Sequence, residues 1–116
     1  MNKKIKITAR LTIELRNLMI QAVIKDGYDL HGKSKWVSEA IERFAKMDYL
    51  DLVDIGSEMS ASELKKTESF YLPYSTVDIL EKIIIDVRRN KPQIEGVKSI
   101  IIRTSIFQGL FRGKAI

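Results

Sequence analysis

Two stretches of this 116-residue chain combine side chains and intervals suited to binding or catalysis. Gly27-Tyr28-Asp29-Leu30-His31-Gly32-Lys33-Ser34 satisfies G-x-x-x-x-G-K-[ST], in which backbone amides wrap nucleotide phosphates and the hydroxyl meets magnesium. Ile83-Ile84-Ile85-Asp86 is similar to the apolar strand ending in Asp that completes such a site. That chemistry requires a parallel strand before the first glycine. The residues before Gly27 instead repeat at helical period, and Ile83–Asp86 lie inside another helical pattern, so nucleotide binding is the least favoured reading. The second stretch is Lys4, Lys6, Thr8 and Arg10, spaced by two. Arginine can bond both O6 and N7 of guanine, lysine can bond one of them, and threonine can hydrogen-bond or touch a thymine methyl.

Other chemistries lack their residues. There is no cysteine, which removes disulfides, thiol catalysis and most zinc sites and suits a reducing cytoplasm. His31 is the single histidine and is expected on the surface. Asp51, Asp54, Glu58 and Glu63 are scattered without acid–base pairing. The expectation is a cytoplasmic protein that is not an enzyme, with no metal, no cofactor and no membrane span.

Periodicity defines the strands and helices that carry these residues. Ile5, Ile7, Ala9 and Leu11 alternate with the polar set, which predicts a strand with one buried face. Leu15, Leu18, Met19, Ala22 and Val23 then recur at helical spacing, with Thr12 as N-cap and Gly27 as stop. Ile13, Ile20 and Ile24 add apolar surface off that stripe, so this helix is expected to be enclosed. Ser34 is expected to cap a second helix whose apolar face is Trp36, Val37, Ala40, Ile41, Phe44 and Ala45. Trp36 at that spacing reads as core.

The second half repeats the order. Phe70, Leu72 and Tyr74 alternate with Ser69, Tyr71 and Pro73. Ser75 and Asp78 form a Ser-x-x-Asp capping box ahead of Val77, Leu80, Ile83, Ile84 and Val87. In the last helix Lys98, Ser99, Ile101, Ile102, Ser105 and Ile106 match Lys33, Ser34, Trp36, Val37, Ala40 and Ile41 at a constant offset of 65. One such unit is too small to be stable alone, and its strand would leave both edges unpaired. Each therefore needs the other.

Charge supports this division. The net charge is +5, with ten Lys/Arg against five Asp/Glu in residues 1–46 and eight against five in residues 68–116. Residues 47–67 reverse the balance, two against five, and read as a solvated acidic connector. Asp48–Val53 is expected to extend or cap the helix before it. The basic balance points to anionic partners.

Lys6-Ile7-Thr8-Ala9-Arg10-Leu11-Thr12-Ile13-Glu14-Leu15, together with Gly32-Lys33-Ser34-Lys35-Trp36-Val37-Ser38-Glu39-Ala40-Ile41, resembles the ribbon-helix-helix family of DNA-binding proteins. The likeness covers most of the first half and, more loosely, residues 69–110. Two copies on one chain look like the tandem members, among them relaxosome proteins of conjugative plasmids. The resemblance implies an α+β, mainly α fold: two β-α-α units, 1–47 and 68–112, joined by 48–67 and closing into an intramolecular pseudo-dimer with a two-stranded antiparallel ribbon. It implies that Lys6, Thr8, Arg10, Ser69 and Tyr71 read bases of double-stranded DNA. Lys4, Lys33, Ser34, Lys35, Lys98 and Ser99 would then contact phosphates at the ribbon and at helix N-termini. The second strand departs from the basic trio, so an asymmetric, non-palindromic site is expected. The implied roles are transcriptional regulator or plasmid-transfer accessory factor, with self-association on DNA or a relaxase-type partner. The alternative is an antitoxin or partition-type interaction module.

Overall fold

A computed structural model describes residues 3–29, 32–57 and 63–111, with backbone only for residues 54–57. His31 and Glu58 lie outside the described residues, as does Leu30 of the glycine motif. The order is β1 (Lys4–Leu11), α1 (Ile13–Lys25), α2 (Lys33–Phe44), α3 (Tyr49–Ser57), β2 (Lys66–Pro73), α4 (Tyr74–Asn90) and α5 (Val97–Leu110). The protein is α+β and mainly helical, with one two-stranded antiparallel sheet.

β1 forms where its alternation predicts. Ile7, Ala9 and Leu11 are buried, while Lys4, Lys6, Thr8 and Arg10 are exposed. Thr12 then takes extended geometry and accepts from the Leu15 amide at 3.0 Å, satisfying one of the free amides at the start of α1. The far end closes as a Schellman turn. The amide of Gly27 donates to Ile24 and that of Tyr28 to Val23, both at 3.0 Å, with Gly27 at φ +88°.

Ile7 and Phe70 are direct partners in register, and the pairing runs from Lys4 opposite Pro73 to Leu11 opposite Lys66. Beneath the sheet, α2 packs chiefly on α5. Trp36, Val37, Ala40 and Ile41 of the one are buried, and so are Ile101, Ile102, Ser105 and Ile106 of the other. The offset of 65 thus aligns two buried helix faces. The approach is close enough that a Cβ on Gly109 would sit 2.9 Å from Trp36 Cη2. The Trp36 indole is itself held, its Nε1–H donating to Asp26 Oδ2 at 2.8 Å. Thr104 and Ser105, buried within α5, donate to the carbonyls one turn back, both at 2.7 Å.

Several expectations are corrected. Ser34 is already helical, and Gly32 occupies the cap position of α2. Ser99 likewise lies inside α5, which Gly96 precedes in the left-handed region at φ +66°. The Ser75–Asp78 box does not form, because Pro73 takes the extended cap position and α4 starts at Tyr74. Tyr74 is accordingly 54 % exposed and does not continue the buried face of β2. Residues 49–57 form a separate helix instead of prolonging α2. Val53 is buried there, and the Tyr49 hydroxyl donates to Asp86 of α4. That bond, then burial, then the negative charge of Asp86 raise the Tyr49 pKa. The connector is thus partly core. Finally, α1 is not enclosed. It buries Leu15, Met19 and Val23 against α2 and α5, whereas Ile13, Leu18 and Ile24 stay about half exposed.

Candidate nucleic-acid interface

Because strand side chains alternate, pairing β1 with β2 sorts the sheet into two faces. The outer one carries Lys4, Lys6, Thr8 and Arg10 from β1 and Thr67, Ser69, Tyr71 and Pro73 from β2. Lys6 faces Tyr71, Thr8 faces Ser69, and Arg10 faces Thr67. The five expected base-reading residues are therefore brought together on one surface. Thr67 belongs with them, although the sequence alternation begins only at Ser69. All three cations of this surface are on β1, and the outer residues of β2 are uncharged.

The side chains differ in how firmly they are held. Arg10 Nη2 donates to the Leu64 carbonyl at 2.7 Å, and Arg10's own carbonyl accepts from Arg103 Nη1 at 3.1 Å. Arg103 is only 5 % exposed. Burial first, and then the charge of Arg10, hold its pKa below the ordinary arginine value. Tyr71 is 51 % exposed, while its amide donates to Ser34 Oγ at 2.9 Å. Ser34 thus ties the start of α2 to β2.

The inner face has one acidic residue where the period would place an apolar one. Glu68 accepts from Arg16 Nε at 2.8 Å and from Lys33 Nζ at 2.9 Å, joining β2 to α1 and α2. Burial alone would raise its pKa, but the bonds and charges of Lys33 and Arg16 outweigh it and leave the carboxyl below its ordinary value. The Lys33 ammonium also lies 5.3 Å from the centre of the Phe70 ring. Lys33 is thereby engaged inside the protein, and a phosphate would have to compete with Glu68 for it. Lys35 is exposed, with its ammonium 5.9 Å from the centre of the Tyr28 ring. Lys98 is exposed and Ser99 half-buried in the first turn of α5.

The glycine motif has neither of its structural partners. The residues before Gly27 are α1, and Ile83–Asp86 lie within α4. Among the described residues no three His, Cys, Asp or Glu side chains cluster to hold a metal ion, and no helix is long and apolar enough to cross a membrane. No family model, curated protein or solved structure matches the chain.

Proposed function

We propose that this protein binds double-stranded DNA in a sequence-dependent manner by laying the outer face of its β-ribbon in the major groove. The observation that carries the reading is the gathering of Lys4, Lys6, Thr8 and Arg10 beside Thr67, Ser69 and Tyr71 on one exposed two-stranded surface. A ribbon of this kind fits the major groove, where donor and acceptor patterns distinguish every base pair. The net charge of +5 supplies the long-range attraction to phosphate. On this reading the β-α-α successions are two ribbon-helix-helix units forming a pseudo-dimer within one chain. The protein serves as a regulator at an oriented operator or as an accessory factor at a transfer origin. Base reading then falls mainly to β1, and the target is non-palindromic.

Selection of bound sequences from random duplex DNA, followed by salt titration on the winning site, tests the proposal. An oriented consensus is expected, with affinity that falls as salt rises. Arg10→Ala should relax one base position and cost about 1–3 kcal/mol there. Unchanged affinity and preference in that variant would sink the reading.

A further inference from the structure

The two ends of Arg10 are held by different parts of the chain. Leu64, just before β2, accepts from the guanidinium, while Arg103 of α5 donates to the Arg10 carbonyl from below the sheet. Both partners are fixed by burial, Leu64 at 7 % exposure and Arg103 at 5 %. An exposed arginine on a strand ordinarily samples many rotamers, and ordering it costs entropy when it binds. Here the bond to Leu64 already engages the guanidinium, which lessens that cost. The guanidinium has five N–H donors in a planar fork, so one bond to Leu64 leaves donors for a two-bond contact with a base edge.

The placement of Arg103 also departs from the likeness of the two halves. At the offset of 65 its counterpart is Ser38, which is buried and shares a 2.6 Å hydrogen bond with Thr76. A small hydroxyl pair in one half thus corresponds to a buried cation in the other. That cation lies beneath β1, the strand that carries the cations of the outer face. The two like charges repel, which favours an Arg10 guanidinium turned outward from the core.

We propose that Arg103 is a positioning residue for base recognition. By bonding the Arg10 carbonyl while Leu64 holds the guanidinium, it sets Arg10 in one pose and sharpens discrimination at a single base pair. This inference rests on the DNA-reading assignment above.

The test compares wild type, Arg10→Ala, Arg103→Met and the double variant on the selected duplex and on duplexes changed at one base pair, with thermal denaturation to confirm folding. Arg103→Met should keep general duplex affinity and salt dependence. It should lose about tenfold or more of the discrimination at the pair that Arg10→Ala relaxes. The double variant should lose no more there than Arg10→Ala alone. A folded Arg103→Met that still discriminates at that pair, or that weakens all sequences equally, overturns the proposal. If Arg103→Met does not fold, Arg103→Leu, which also removes every donor, is read by the same criterion: loss at that pair alone supports the role, and full retention overturns it. A wild type without any base preference would instead overturn the DNA-reading assignment itself.

Discussion

Glu68 Oε1 lies 2.9 Å from Lys33 Nζ, and this bond holds the second strand against the start of α2. With Arg16 on the other carboxylate oxygen, it joins residues far apart in the chain. The Glu68 carboxyl titrates lower in the folded protein than in the unfolded chain, so on acidification the unfolded chain takes up this proton first. The stability from this clasp is complete above the ordinary carboxylate range and is lost as pH falls through the depressed folded value. Glu68→Gln should therefore cost roughly 1–2 kcal/mol near neutrality, the modest figure reflecting partners about a third exposed. It should also flatten the acid limb of a urea-denaturation series. An acid limb as steep as that of wild type would refute the assignment.

The hydroxyls of Ser38 and Thr76 are buried and bonded to each other at 2.6 Å. Ser38→Ala leaves Thr76 without this partner and should cost about 1–3 kcal/mol. Adding Thr76→Val removes the stranded hydroxyl and should recover much of that loss. A double-mutant cycle by chemical denaturation measures the coupling, and strict additivity would argue against it.

At Gly109 two effects oppose each other. Alanine in a helix gains up to about 1 kcal/mol over glycine, whereas overpacking a filled core typically costs about 1–3 kcal/mol. The new methyl would meet Trp36 Cη2 at 2.9 Å, and that ring is anchored at Asp26 and fully buried. Gly109→Ala should thus lower the melting temperature. A rise would mean that α5 can retreat from α2 at little cost.

The ribbon's charge asymmetry makes a paired prediction for DNA binding. Lys6→Ala should weaken binding and reduce the salt slope by about one unit if the ammonium meets a phosphate, or relax one base position if it meets a base. Ser69→Ala on the uncharged strand should leave the salt slope unchanged. A Lys6→Ala variant that changes neither the salt slope nor any base preference would contradict a β1-dominated interface.

β1 is legible in the sequence because its eight residues alternate without a break, and Thr12 and Gly27 mark the two ends of the helix after it. The second strand is harder to delimit. Tyr74 continues the alternation of Phe70 and Leu72, but Pro73 fixes the entry geometry and turns Tyr74 into the first residue of a helix. Glu68 gives no sign of its role, because a carboxylate on the inner face makes sense only once Arg16 and Lys33 converge on it, and no local pattern carries that information. The connector misleads through composition. Its acidic residues suggest solvation, while Tyr49 and Val53 supply contacts to α4 and the core. Arg103 is a similar case, since an arginine between buried residues of a helix does not show in sequence which carbonyl it will reach.

Ile7 opposite Phe70 marks the midpoint of a sheet whose two strands come from one polypeptide. When identical chains supply both strands, a substitution in one is copied into the other. Here each strand can mutate alone. Lys6 and Tyr71, face to face, differ in charge, in size and in what they can bond. On the proposed DNA-binding reading, a change on one side of the ribbon would alter half of the contact surface and leave the other half as it was.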